Sequence, residues 1–527
     1  MDPGTSDLHL RDLSKRDHLI ADDEKEELGL SRSGAVLSLS EPSGFKELAP
    51  KDYWNFALLV LLYLLQGIPI GLTLGSLPFL LKQRTSYSDV AIFSLSSWPY
   101  SLKLLWAPIV DSVYSPKFGR RKSWIVPTQL FTGSMFFWLG WHIDGFLSQP
   151  EVNVYFLTGV FFSLIFLSAT QDIAVDGWAL TLLSKQSLSY ASTAQTIGIN
   201  SGFFLSFTVF LALNSSEFSN KYFRTFPQAY GILSLGNYLL FWAVLYFSIT
   251  FILIFMKKEE RHHSTEDDMG ISGVYTTIIG VIKMPHIQTF ICILLLAKIG
   301  FICNEAVTGL KLLELGFKKE DLALAVLIDF PFQIIFGYYS ARWSQGPRPL
   351  LPWLFAFYGR LAFAIIGMLV VRAFPSNGKV SLPYFCLVII SMVLSNFTST
   401  VQLVSISAFM TGIADPIIGG TYMTLLQTFN NFGGTWPKFF VLKAVDYFSV
   451  AQCTVPDESG NFFSCVSEHG KNQCKSLEGK CNLEQDGYYY VGILCIVLGF
   501  ALLNFYIKPK IRQLEKLPKS VWKLSRK

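Results

Sequence analysis

The chain has 527 residues, 51% of them hydrophobic and 15% aromatic, with 15% charged, a mean hydropathy of +0.40 and a formal net charge of +5. Soluble domains carry about 25% charged residues, so the composition excludes an ordinary soluble enzyme, a disordered chain, a collagen and a secreted disulfide scaffold. The charge is small and lacks the basic patches interleaved with aromatics that a nucleic-acid partner would need; the long apolar runs instead point to a polytopic membrane protein with the lipid bilayer as its solvent.

Residues 1–52 are polar and include Asp22-Asp23-Glu24-Lys25-Glu26-Glu27. They hold no apolar core with a cleavage site, so they read as a disordered cytoplasmic tail, and the first apolar run is expected to direct insertion itself. A spanning helix needs about 20 mostly apolar residues. The first half offers six such runs, at 53–81, 91–113, 124–143, 153–183, 191–213 and 229–256. After a polar linker at 257–284 come six more, at 285–305, 322–341, 350–371, 383–411, 420–446 and 488–507, then a basic tail at 508–527. The expected fold is therefore all-α: twelve transmembrane helices in two six-helix bundles, 53–256 and 285–507, with both tails on one side of the membrane. The Lys and Arg of the tails and of Arg120-Arg121-Lys122 put that side in the cytoplasm.

Ionisable groups inside these runs cost about 2.5–3.5 kcal/mol each on insertion scales unless partnered or hydrated. Span 2 carries Lys103 and Asp111, span 4 carries Asp172 and Asp176 on one helical face, and span 7 carries Lys298 and Glu305. Span 9 has Arg360, and span 11 has Lys438 and Lys443, which are read as snorkelling to the interface. Basic groups outnumber deep acids, and a cationic cavity favours an anionic solute. Asp172 and Asp176 are expected to gate the cytoplasmic side, with a proton relay as the other reading. Span 5 opens with Ser189-Tyr190-Ala191-Ser192-Thr193-Ala194-Gln195-Thr196 and span 11 with Thr421-Tyr422-Met423-Thr424-Leu425-Leu426-Gln427-Thr428. This is the similarity a duplication of six helices would leave. Span 11 also has Asn430-Asn431, Gly433-Gly434 and Trp436-Pro437, where glycine and proline weaken a helix lining a cavity.

Two loops on the non-cytoplasmic side agree with this orientation. Asn214-Ser215-Ser216 is a glycosylation sequon between spans 5 and 6, whereas Asn396-Phe397-Thr398 falls inside span 10 and is set aside. The loop 447–487 holds Cys453, Cys465, Cys474 and Cys481, four of the eight cysteines. They read as two disulfides of open connectivity in an oxidising compartment, in preference to a zinc site, since no C-x-x-C knuckle is present. Catalytic constellations are missing: none of the seven histidines lies at mid-depth, and no Walker, G-x-S-x-G or H-E-x-x-H motif occurs. No enzyme activity, cofactor or metal is expected.

The segments Leu64-Leu65-Gln66-Gly67-Ile68-Pro69, Lys103-Leu104-Leu105-Trp106-Ala107-Pro108-Ile109-Val110-Asp111 and Phe118-Gly119-Arg120-Arg121-Lys122-Ser123-Trp124 resemble the acetyl-coenzyme A transporter family of the endoplasmic reticulum membrane, solute carrier family 33. So do Ala169-Thr170-Gln171-Asp172-Ile173-Ala174-Val175-Asp176-Gly177-Trp178, Ala297-Lys298-Ile299-Gly300-Phe301, Ala306-Val307-Thr308-Gly309-Leu310-Lys311 and Gly419-Gly420-Thr421-Tyr422. The resemblance covers nearly all of 53–507. It implies the major facilitator fold, alternating access, and acetyl-CoA carried from cytosol to the endoplasmic reticulum lumen to supply acetylation there. Candidate substrate contacts are then Lys103, Lys298, Arg360, Gln66, Tyr422, Asn430, Asn431 and Trp436, for the phosphates and adenine of the substrate. Candidate gating residues are Asp111, Arg120, Arg121, Asp172, Asp176, Glu305 and Lys311. Compared with the superfamily's D-x-x-G-R-[RK] loop, Asp111 stands further from Gly119. The alternatives are a carrier of another bulky anionic or peptide-like solute, as in bacterial muropeptide permeases or for a disulfide metabolite, a membrane acetyltransferase, and a non-transporting scaffold or sensor on a transporter fold. Oligomeric state, a homodimer included, is left open.

Overall fold

The computed structural model describes residues 49–523 apart from 150–151, 185–186, 188–189, 257–258, 260–270, 345–347, 376–379, 415–418, 457–460 and 467. The tail 1–48 and residues 257–258 and 260–270 of the polar linker lie outside the described residues. Among the described residues, seven helices are long and apolar enough to cross a bilayer without interruption. They are span 1 (Pro50–Lys82), span 4 (Val154–Leu182), span 5 (Tyr190–Asn214), span 6 (Leu235–Phe255), span 9 (Leu350–Arg372), span 10 (Leu382–Ile413) and span 12 (Gly487–Leu514).

The remaining five spans are broken or carry more polar residues, for reasons visible in their residues. Span 2 (87–112) is a chain of short pieces, Tyr87–Ser94, Trp98–Leu102 and Ala107–Ser112, joined by 3-10 turns. Pro99 and Pro108 each occupy the first turn of a new piece, where a residue without an N–H costs nothing but cannot continue the preceding helix. Span 7 is split into Pro285–Leu296 and Ile302–Leu315 around Lys298. At that break Gly300 meets Gly499 of span 12, and a Cβ on Gly300 would lie 2.8 Å from the Gly499 Cα. Spans 3 (Lys122–Ser148), 8 (Lys319–Trp343) and 11 (Gly419–Tyr447) are continuous helices; Pro127, Pro331 and Pro437 lie inside them.

The spans form two bundles, and one apolar cluster runs from the first (Tyr63, Phe136, Phe161, Tyr246) into the second (Val307, Leu442, Tyr488), while another around Phe290, Phe357, Leu425 and Trp522 fills the rest of the second. The suspected duplication has a geometric counterpart. Spans 1 and 5 cross at Gly67 and Gly202, where added Cβ atoms would fall 2.5 Å from the Ile199 carbonyl oxygen and 2.3 Å from the Leu64 carbonyl oxygen. Spans 7 and 11 cross in the same way, with Gly433 against the Leu294 carbonyl at 2.1 Å. Such crossings need small residues because packing, not hydrophobicity, holds helices together in lipid. Large apolar side chains such as Trp141, Phe255, Phe355 and Phe505 are exposed around the outside, as lipid contact allows.

Both ends of the second bundle differ from the sequence expectation. Within the segment read as linker, Ile271–Ile282 is an amphipathic helix that buries Ile278 and Val281 and meets span 7 at 83°. The tail read as basic is docked along its described residues, 508–523. Span 12 runs on to Leu514, and Trp522, 1% exposed, packs edge-on against His286, Phe290 and Phe409. Apolar side chains at Ile511, Leu514 and Trp522 among the lysines account for this, because they have a groove to fill.

The cysteine loop folds on two short antiparallel strands, β1 (Val450–Cys453) and β2 (Cys481–Gln485), and a helix at Glu468–Ser476. Its disulfides are Cys453–Cys474 and Cys465–Cys481. The amide of Asn214, the atom a glycan would occupy, donates to the Leu233 carbonyl at 3.1 Å.

Two outcomes follow from this packing. G202A should lower stability by about 1–3 kcal/mol, as overpacking against backbone does, and reduce the unfolding temperature in detergent. G145A, where a Cβ meets nothing within 4 Å, should be neutral or stabilising by up to about 1 kcal/mol. Peptide mapping without reduction should recover the pairs 453–474 and 465–481, with Cys292, Cys303, Cys386 and Cys495 alkylatable after unfolding.

Candidate functional site

A cavity of about 790 Å³ lies between the bundles, lined mostly by the second half, from spans 7, 8, 9, 10 and 11, with spans 1, 2 and 5 closing its other wall. Its charged lining is Lys298, Arg360 and Lys438 against Glu305. The break in span 7 frees Lys298 from a regular helix, and its Nζ donates to the Asn430 carbonyl at 3.0 Å. Gly434 makes room for it, since a Cβ there would stand 3.0 Å from Nζ. Arg360 is held on three sides: it pairs with Glu305, donates to Gln402 Oε1 at 2.6 Å, and lies 3.6 Å over the Phe301 ring. Glu305 keeps 40% of its side chain exposed while Arg360 keeps 7%, so the carboxylate is the partner nearer water. Lys438 lines the cavity instead of snorkelling outward, and has no hydrogen bond or ion pair among the described residues. Asn431 lines the cavity beside it. Trp436 reaches across to span 7, its indole N–H donating to the Leu295 carbonyl at 3.1 Å.

Four of the residues proposed from sequence as substrate contacts lie outside the cavity lining, Trp436 with its bond to span 7 among them. Tyr422 is fully buried, with its hydroxyl donating to the Trp522 carbonyl at 3.1 Å. Gln66 is fully buried near the span 1–span 5 crossing, and neither side-chain amide atom has a partner among the described residues. Lys103 is not in the cavity lining. It forms an ion pair with Asp172 and stands 3.8 Å from Asp176.

Lys103 thereby organises a cluster on the tail side of the first bundle. Asp176 also accepts from Tyr63 at 2.8 Å and from Gln195 at 2.9 Å, so spans 1, 2, 4 and 5 meet on one carboxylate. Gln195 belongs to the repeated polar start of span 5. Arg121 pairs with Asp111 at 2.5 Å and lies against Gly177, where a Cβ would be 2.2 Å from its guanidinium carbon. Arg120 donates to the Asp111 carbonyl at 2.9 Å. The longer loop after span 2 still returns to Asp111. The acids of span 4, however, are matched by Lys103 from span 2. Glu259, which no motif indicated, accepts from the backbone N–H groups of Arg121 and Lys122 at 2.9 and 3.0 Å.

On the opposite, cysteine-loop side the two bundles are pinned together. Tyr87 donates to Glu314 at 2.8 Å, and the Ser88 N–H donates to Asp446 at 2.6 Å, both linking span 2 to the second half. Lys311 pairs with Asp486 at 2.7 Å and Glu314 at 3.3 Å, and Lys318 pairs with Glu217. Spans 1 and 7, 2 and 11, and 5 and 8 pack against one another here, whereas spans 4 and 10 share no comparable interface among the described residues. Of the proposed gating residues, Lys311 belongs to this cysteine-loop seal, Glu305 to the cavity, and the others to the tail side. Tyr87, Glu314 and Asp486 escaped sequence reasoning because residues at span ends look like ordinary interface groups.

The profile of the acetyl-coenzyme A transporter 1 family matches residues 55–267, 260–350 and 345–524. The membrane protein YBR220C of Saccharomyces cerevisiae is 44% identical over 90% of this chain and 98% of its own length. The protein C21B10.09 of Schizosaccharomyces pombe is 38% identical over 99% and 96% respectively. The anhydromuropeptide permease of Escherichia coli is 28% identical over 28% of this chain and 30% of the permease. Among solved structures, a bacterial homologue of the human lysosomal transporter Spinster superposes with a TM-score of 0.60 at 12% identity, over 89% of this chain and 99% of that one. This likeness shows the fold of a major facilitator transporter. The chain belongs to the acetyl-coenzyme A transporter 1 family and is a polytopic membrane transporter.

Proposed function

We propose that this chain carries acetyl-CoA from the cytosol into the endoplasmic reticulum lumen by alternating access, with both termini cytosolic, and that it moves its substrate without modifying it. The observation that carries this reading is the charge of the cavity, with Lys298, Arg360 and Lys438 against Glu305 alone. A pyrophosphate and a 3′-phosphate need several cations, and guanidinium binds such groups through paired N–H donors. Arg360 is already aimed into the cavity by Gln402 and Phe301, so a phosphate has only to displace Glu305, the more exposed partner. Asn430 and Asn431 stand beside the cations for polar contacts. In this cycle the bundles 53–256 and 285–507 rock about the cavity. The Lys311 cluster holds the cysteine-loop side shut in the state described, and the Lys103 and Arg121 clusters shape the tail-side entrance.

A second reading has its own support. The cavity also presents the amides of Asn396, Gln402, Asn430 and Asn431, and part of the chain is similar to a permease named for anhydromuropeptides. A bulky anionic or peptide-like solute would suit the same lining.

Uptake of acetyl-CoA labelled in both acetyl and adenine, into liposomes containing only this protein, should bring in both labels together. Acetyl without adenine would mean transfer across the membrane, and entry of neither label, with an exchange partner inside, would move the assignment to the second reading. R360Q should lower uptake kcat/KM about tenfold or more, since hydrogen bonds to charged groups contribute about 1.5–3 kcal/mol and 1.36 kcal/mol is a factor of ten. E305Q, which releases Arg360, should instead lower KM.

A further inference from the structure

Span 8 has one acid near its middle, Asp329, set in the apolar run Leu324-Ala325-Val326-Leu327-Ile328 before Pro331. The residue is 1% exposed. Gln333 and Asn396 each donate a side-chain amide N–H to its Oδ2 at 2.6 Å, and Oδ1 has no partner among the described residues. Leu322 and Val326 line the cavity, and so does Asn396. Residues 322, 326, 329 and 333 recur on one helical face. Asp329 therefore sits on the cavity-facing side of span 8, one side chain behind Asn396.

Span 8 packs against spans 5 and 10, and neither contains an Asp, Glu, Lys or Arg. Their titratable side chains are Tyr190 in span 5 and Tyr384 and Cys386 in span 10, all near helix ends. In span 8 itself, Lys319, Glu320, Asp321, Tyr338, Tyr339 and Arg342 stand about two or more helical turns from Asp329. The other deep acids have cations: Lys103 for Asp172 and Asp176, and Arg360 for Glu305. A carboxylate removed from water needs a counter-ion, and where only amides are present the alternative is a bound proton.

We propose that Asp329 is a proton-binding site that couples movement of the anionic substrate to a proton gradient. This rests on the chain's being a carrier of an anion. The carboxylate takes up one proton on Oδ1 when water in the cavity reaches it past Asn396. The neutral acid crosses with the substrate when the bundles close, and the proton leaves on the other side. No other bond forms or breaks.

The test uses the full chain in liposomes, with labelled acetyl-CoA and an internal pH dye. An acid exterior should raise accumulation of the label by about tenfold per unit of pH difference if one proton accompanies each substrate. D329N should lose that response while keeping exchange of acetyl-CoA at equal pH, and D329E should recover part of it. Infrared difference spectra of the purified protein, wild type minus D329N, should show a carboxylic-acid carbonyl band that follows bulk pH. Were D329N not to fold, the shift of that band in D329E serves instead. An unchanged gradient response in D329N, a response to sodium in place of protons, or the absence of such a band would overturn the proposal. Failure of the wild-type protein to exchange acetyl-CoA would count against the substrate assignment alone, and the infrared band would still decide for or against Asp329.

Discussion

Charge neutralisation inside a low-dielectric slab is the constraint on which the rest of this structure depends. A buried ion pair gives little net stability, but removing one member leaves an uncompensated charge and is strongly destabilising. The pairs are therefore locations as much as bonds. Lys103 with Asp172 and Asp176 fixes span 2 against span 4, and Tyr63 and Gln195 bring spans 1 and 5 to the same carboxylate. Arg360 with Glu305 fixes span 9 against span 7. In the first bundle the cation is used up by two acids. In the second, cations exceed acids and the excess faces the cavity. That asymmetry gives the cavity a cationic wall on the side of the second half.

Broken helices supply the second ingredient. A continuous apolar helix has no free backbone groups to offer, and irregular backbone within a membrane is tolerated only where protein or a cavity covers it. The prolines of span 2 and the break at Lys298 in span 7 lie where the two bundles face each other. Lys298 consequently reaches the Asn430 carbonyl of span 11, a contact an unbroken span 7 would place differently. The glycine crossings at Gly67–Gly202 and Leu294–Gly433 hold the neighbouring helices close enough for such short reaches.

How much of this was legible in the sequence depends on the range of the interaction. Spans and bundles are recorded locally, in runs of apolar residues, and the polar starts of spans 5 and 11 reported the repeat. The charges inside spans were equally visible. Their partners were not, because pairing is settled by helix rotation and depth, which composition does not encode. Lys103 was thus read as a substrate contact, whereas it faces span 4, and Lys438 as an interfacial residue, whereas it faces the cavity. Tyr422 shows another blind spot. Its hydroxyl is used by Trp522, a hundred residues away, in a tail whose lysines disguised its apolar face. Asp329 was missed because it belongs to no motif, and only the absence of charge on spans 5 and 10 gives it meaning.

The two sides of the molecule are held by different chemistry, and this bears on how it can move. The cysteine-loop side is sealed by contacts between bundles, through Tyr87, Ser88, Glu314 and Asp446, together with Lys318 and Glu217. The tail-side clusters of Lys103 and Arg121 lie within the first bundle and so remain intact whichever way the bundles tilt. Opening the cysteine-loop side requires breaking the inter-bundle set, in which Lys318 and Glu217 are exposed and resolvated at modest cost while Tyr87 is buried. Lys311 is different: its bonds to Asp486 and Glu314 stay within the second bundle. It can hold Glu314 in place while Tyr87 leaves. The disulfide-bonded loop joins the ends of spans 11 and 12, carrying Asp446 just before β1 and Asp486 just after β2. Asp446, which binds across the seam, and Asp486, which binds within the bundle, thus flank one cross-linked unit and are tied to each other.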